Sequence, residues 1–152
     1  MNVVNIKVSG NSKPTEQLVV KAQNFEIRIG ENQSNPELEG PCPVEYILAG
    51  YVGCLNIVGG IVAKELNIEI KSLKIEISGA LDADKYLGAS TKERAGFKAI
   101  EVTVKPISDA SREEIKKWIE IVESRCPVQD NLFNPTPISL NLVQELKEPA
   151  AA

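Results

Sequence analysis

The sequence predicts an α+β domain, on three observations. Short runs with apolar residues at every second position occupy both ends of the chain and its middle. One long apolar stretch, Val44 to Ala63, separates the first three runs from the rest. A single amphipathic helical pattern follows near Trp118, so strands and helices do not alternate as a doubly wound α/β chain requires. The expected order is β-β-β-α-β-β-α-β. The chain of 152 residues suits one domain with its own core, drawn at 1–147, with 148–152 as a disordered tail.

Val4, Ile6 and Val8 alternate with polar residues and predict the first strand. Leu18 to Ala22 predicts a second, after the turn-like Asn11-Ser12-Lys13-Pro14. Phe25, Ile27 and Ile29 predict a third, and Gln23-Asn24 between the last two suits a hairpin. Residues 30–41, rich in Gly, Asn, Ser, Pro and Glu, read as a loop. A helix then starts with Cys42 at the cap, Pro43 at the first position and Glu45 at the third. Proline lacks only an N–H that has no helical partner there, and Glu45 can reach back to the cap N–H. Cysteine is an unusual cap where Ser, Thr, Asp or Asn is preferred.

This helix should run to about Leu66. Its apolar residues lie all round it, so it reads as a core helix rather than a membrane span. Gly50, Gly53, Gly59 and Gly60 each cost roughly 1 kcal/mol of helix propensity and call for a packing or functional reason. Downstream, Ile68 and Ile70 share one parity while Leu73, Ile75 and Ile77 share the other, which predicts a bulge near Lys71-Ser72. A helical turn over Ala83–Leu87 and a strand through Ile100, Val102 and Val104 follow. Ser111 and Glu114 form a capping box, and Ile115, Trp118, Ile119 and Val122 trace one apolar face. Cys126 would extend that face, but Pro127 predicts a break and restart. Ile138, Leu140 and Leu142 predict a last strand.

Composition narrows the function. The net charge of −4 with interspersed signs argues against nucleic acid or an anionic membrane as partner. There is no histidine, which removes Ser-His-Asp and Cys-His nucleophile activation and the common imidazole metal sites. Three cysteines without an export-signal pattern predict free or redox-active thiols in a reducing, cytoplasmic setting rather than a disulfide scaffold. Gly59-Gly60 lies inside a helix and lacks the strand–turn–helix context of a phosphate loop.

The run Gly40-Pro41-Cys42-Pro43-Val44-Glu45-Tyr46-Ile47-Leu48-Ala49-Gly50-Tyr51-Val52-Gly53-Cys54-Leu55 resembles the central-helix signature of the OsmC/Ohr family, in its OsmC-like subgroup. Arg94-Ala95-Gly96-Phe97 resembles the family's approach to a later strand. Arg125-Cys126-Pro127-Val128 resembles its second cysteine motif. The resemblance implies an intertwined homodimer in which long central helices lie between sheets built from both chains. It also implies reduction of organic hydroperoxides by a peroxidatic cysteine, matched by Cys54, and a resolving cysteine, matched by Cys126. An external dithiol would restore the pair by exchange, and no cofactor or metal is implied.

Two departures bear on activation. The hydroperoxide-reducing members hold an arginine from an N-terminal strand with a glutamate ten residues before the cysteine. Here that position is Val44, and Glu45 stands nine before Cys54, roughly 180° round an ideal helix. Lys13 stands near the expected arginine site. Arg28 is the candidate substitute, with Arg94 and Arg125 as others; lysine does not reproduce a bidentate clamp. The candidate catalytic set is therefore Cys54, Cys126, Glu45 and Arg28. Residue chemistry alone offers a competing assignment, because Cys126 can cap a short helix beside Arg125, a setting that lowers a thiol pKa. Cys42 reads as a cap replacement, since twelve residues along a helix put it about 18 Å from Cys54. Tyr51 and Trp118 read as packing residues. The alternative function is a non-catalytic relative that binds a small apolar ligand at the dimer interface; a redox-sensing partner protein is a third.

Overall fold

The computed structural model describes residues 1–13, 16–30, 40–89 and 92–144. The expected tail at 148–152 and residues 31–39 of the expected loop lie outside the described residues. Strands β1 (Val8–Asn11), β2 (Leu18–Ala22) and β3 (Phe25–Ile29) form an antiparallel sheet in that order. The β2–β3 hairpin closes across Gln23-Asn24, with Ala22 opposite Phe25. Gln23 takes φ 54°, as the first position of a tight hairpin turn allows at the cost of a left-handed conformation. The first strand is shorter than its alternation predicts. Val8 already pairs with Ala22, the last residue of β2, so Val4 and Ile6 have nothing opposite them and stay exposed.

Helix α1 (Pro43–Glu65) has the expected start. The Cys42 N–H donates to Glu45 Oε2 at 2.7 Å, and this bond holds the Glu45 carboxyl below its ordinary pKa. Its end was set by a signal one residue further on. Asn67 takes φ 52°, and the N–H groups of Asn67 and Ile68 donate to the Lys64 and Ala63 carbonyls. That is the double bond pattern of a left-handed helix stop, with asparagine in place of glycine. Tyr51, Leu55, Gly59, Val62 and Ala63 are buried along one face. By length and composition α1 could cross a bilayer, but here it is the helix on which the core is built.

Strands β4 (Ser72–Leu81) and β5 (Phe97–Ile107) pair antiparallel. Leu73, Ile75 and Ile77 turn inward while Lys74, Glu76 and Ser78 face out. Glu76 sits between Lys74 and Lys105 on the outer face. The expected bulge at Lys71-Ser72 is corrected: the parity switch marks the start of β4, and the register shift lies at Ala80/Leu81. Ile68 and Ile70 belong to the connection from α1, where Ile68 is buried by the helix stop. Between the strands, α2 (Ala83–Tyr86) is capped by Asp82.

Helix α3 (Arg112–Arg125) starts at the Ser111–Glu114 capping box, and after the break at Pro127 the chain restarts as α4 (Pro127–Phe133). Trp118 and Val122 of α3 are buried against α1. The Trp118 Nε1–H donates to the Gly59 carbonyl at 2.9 Å, and a Cβ on Gly59 would lie 3.0 Å from the ring. This gives one helix glycine its packing reason. Gly50, Gly53 and Gly60 have open space where a side chain would go, and Ile57 beside them is 65% exposed. Apolar residues lie all round α1, yet within one chain only one face of it is buried.

The expected strand at Ile138–Leu142 is also corrected. The segment has no strand pairing, and Ile138, Leu140 and Leu142 are exposed. Alternation can build a strand only where an edge offers N–H and C=O groups, and among the described residues no strand pairs with it. The observed order is thus β-β-β-α-β-α-β-α-α, still α+β.

Gly59→Ala tests the pin between α1 and α3. Trp118 is 1% exposed and tied by its own hydrogen bond, so it has little room to move. Overpacking of about 1–3 kcal/mol should outweigh the roughly 1 kcal/mol gained in helix propensity. The variant should unfold at lower urea than wild type; an equal or higher midpoint would show that the ring yields.

Candidate functional site

Cys54 lies midway along α1, and Cys126 ends α3 and caps α4. They are 72 positions apart in sequence, yet the Cys126 thiol donates to Cys54 Sγ at 2.9 Å. All three cysteines are free, with Cys126 buried and Cys54 partly exposed. The break at Pro127 creates this contact. It ends α3 in an extended residue, Cys126 φ −80° and ψ 108°, which swings the side chain from the helix surface toward α1.

Two effects compete at Cys126. The Gln129 N–H donates to its sulfur at 3.5 Å, the cap geometry that the sequence offered as a thiolate-lowering device. Burial and the proximity of Cys54 act the other way and prevail, so the Cys126 pKa is raised. Arg125 does not rescue the thiolate. Its guanidinium forms a fork on the Glu65 carboxylate, at 2.5 and 3.1 Å. Burial thus works against the competing assignment of Cys126 as the ionised sulfur.

The structure brings these two candidates together and leaves the other two apart. Glu45 is occupied by the α1 cap. Arg28 Nη1 donates to Gln17 at 3.3 Å, and its carbonyl accepts from the Tyr46 hydroxyl at 2.6 Å. Among the described residues no hydrogen bond or ion pair joins either one to Cys54 or Cys126. Arg94 instead lines a cleft of about 420 Å³ with Ile47, Tyr51, Phe97, Leu132 and Phe133. Cys42 stays at the helix start.

Sequence reasoning took Tyr51 for a packing residue and passed over Gln129. The Tyr51 hydroxyl donates to Gln129 Oε1 at 2.8 Å. Burial, with Cys126, Glu123 and Cys54 close by, raises the Tyr51 pKa. The available signals were spacings: Tyr51 stands three residues before Cys54, on the same helix face, and Gln129 holds the third position of the helix that Cys126 caps.

An α+β chain with two facing thiols, one mid-helix and one at a Cys-Pro helix cap, defines a class of two-cysteine protein. The OsmC-like protein family model matches residues 30–141, and the chain belongs to that family. No curated protein sequence matches it. Among solved structures it is similar to an OsmC-like protein from Mycoplasma pneumoniae, at 20% identity and TM-score 0.75, covering 87% of this chain and 89% of that one. It is also similar to the organic hydroperoxide resistance protein OhrB of Bacillus subtilis, at 22% identity and TM-score 0.57, covering 87% and 93%. An OsmC-like hydroperoxide resistance protein from Jannaschia aligns at 20% identity and TM-score 0.55, covering 93% and 92%.

The raised Cys126 pKa has a consequence for stability. The folded protein favours the protonated thiol, so this contribution is fully present below the ordinary thiol value of about 8.5 and is lost as pH rises through the folded value. Reduced wild-type protein should therefore lose stability as pH rises above about 8.5, more steeply than Cys126→Ala. Urea unfolding at several pH values, with reductant present, measures the difference; equal slopes would contradict it.

Proposed function

We propose that this protein reduces organic hydroperoxides with the Cys54–Cys126 pair, as part of oxidative-stress defence in the cytoplasm. The observation that carries this reading is the 2.9 Å contact between the two sulfurs. The Cys54 thiolate attacks the terminal oxygen of the hydroperoxide. The O–O bond breaks, an S–O bond forms, and the substrate leaves as an alcohol after taking a proton. Cys54 is then a sulfenic acid. Cys126 condenses with it, giving a disulfide and water. An external dithiol reduces that disulfide by exchange.

Support comes from three directions. Family membership is shared with proteins described as hydroperoxide resistance proteins. The partly exposed sulfur is the one that must meet substrate, and the buried, protonated one is suited to resolve. The cleft beside Tyr51, with Ile47, Phe97, Leu132 and Phe133, suits an apolar organic group.

The same proposal includes a homodimer. The uncovered face of α1 with Ile57 and Ile61, and the alternating Ile138, Leu140 and Leu142, are large apolar surfaces with no partner in one chain. A two-stranded β4–β5 ribbon is also marginal alone. An intertwined second copy would cover both, and Arg28 of the partner subunit would supply the cation that the thiolate needs. The second reading, a non-catalytic binder of a small apolar ligand, is favoured by the absence of a cation bonded to either sulfur among the described residues.

With an alkyl hydroperoxide and a dithiol, wild-type protein should turn over and Cys54→Ser should not. With the dithiol removed, Cys126→Ser should consume about one equivalent and stop at a sulfenic acid that dimedone traps. Undiminished turnover by Cys54→Ser would overturn the assignment of Cys54, and absence of turnover by wild type would leave the binding reading. Sedimentation should find wild type as a dimer and Ile57→Asp shifted toward monomer; a wild-type monomer would remove the trans-subunit cation.

A further inference from the structure

Among the described residues, α1 and α4 share two side-chain hydrogen bonds: the thiol pair and Tyr51–Gln129. The second is not needed to close the core, because Tyr51 could bury its ring without a polar partner on α4. Its position gives it a different use. Gln129 accepts from the Tyr51 hydroxyl with its side chain and donates to Cys126 Sγ with its backbone N–H. One residue thus grips the fixed central helix and the resolving sulfur at once.

The need for such a grip follows from the size of α4. A helix of seven residues has little stability of its own. None of its residues is fully buried, and of its side chains Val128 packs, only partly buried, against the core. Cys126 belongs to its cap and takes its direction from the first turn. Tyr51 and Gln129 both line two clefts, one of about 420 Å³ and one of about 250 Å³. Loss of the bond would remove the side-chain tie between Gln129 and α1.

We propose that Tyr51 and Gln129 are positioning residues for the resolving step, holding Cys126 aimed at Cys54. This rests on the two-thiol reading above. In that step the Cys126 sulfur bonds to the sulfenic sulfur of Cys54 and the S–O bond breaks. The hydroxyl leaves with the Cys126 proton as water. The Cys54 sulfur is reduced and the Cys126 sulfur oxidised by the same electron pair, the hydroperoxide having been the oxidant. The rate of such a step depends steeply on how well the reacting atoms are held.

The test uses full-length protein equilibrated with reduced and oxidised glutathione, which reports the effective concentration of Cys126 at Cys54 without any peroxide. Tyr51→Phe and Gln129→Leu should each lower it about ten-fold. The double variant should lower it no further, because both remove one bond. Sulfenic acid at Cys54, trapped with dimedone after peroxide, should persist correspondingly longer. Tyr46→Phe, which removes a hydroxyl from the same helix away from the thiols, should match wild type. Values within two-fold of wild type for Tyr51→Phe and Gln129→Leu would overturn the proposal, as would additive losses in the double variant. A wild-type pair that equilibrates with glutathione but ignores hydroperoxide would end the peroxidase reading and leave the positioning role standing. A wild-type pair that forms no disulfide would end both.

Discussion

The arrangement of the site depends on how α3 seats on α1, and that seat is the Trp118–Gly59 contact. A large buried ring lies against the backbone of a helix that has no side chain at that point, and the ring N–H ties itself to the same residue's carbonyl. Contacts of this kind are specific in a way that general apolar burial is not. A Leu–Leu interface tolerates sliding, whereas an indole in a glycine-sized gap with one hydrogen bond does not. The Arg125–Glu65 fork fixes a second point. With both made, the end of α3 can only present Cys126 to the middle of α1.

Burial then decides the chemistry of the pair. A thiol at a helix cap beside arginine has the ingredients of a low-pKa nucleophile. Here the arginine is spent on Glu65, and Cys126 is 1% exposed. Desolvation outweighs one long N–H···S bond, so the cap orients the sulfur more than it ionises it. The two cysteines are thereby differentiated without any third titratable group in the pair. Burial favours the protonated form at Cys126, while Cys54 faces the accessible side.

Much of this was legible in the sequence where the signal is local. Pro43, Glu45, Ser111, Glu114 and Pro127 act within one helical turn, and each element they predict begins or breaks where expected. The hairpin at Gln23-Asn24 is equally local. Failures occurred where a residue's state depends on what lies opposite. Val4 and Ile6 carry a strand pattern but stand beyond the end of β2. Ile138, Leu140 and Leu142 carry one but pair with no strand among the described residues. The parity change at Lys71-Ser72 reflects a helix stop at Asn67 and a strand start, which give the same residue spacing as a bulge.

At the site, the two sulfurs were legible because each sits in its own short motif. Their partners were not. Tyr51 carries no mark distinguishing a packing tyrosine from one whose hydroxyl is held, since that distinction lies on α4, 78 positions away. Arg125 shows the converse error, for it is adjacent to Cys126 in sequence yet directed to Glu65. Adjacency in the chain fixes where a backbone goes, while the direction of a long side chain follows the best charge available to it. A cationic neighbour for a thiol is therefore weak evidence of activation until its carboxylate competitors are accounted for. In this protein the nearest arginine in sequence has a bidentate partner already, and any cation that serves Cys54 must come from a residue without such a claim on it.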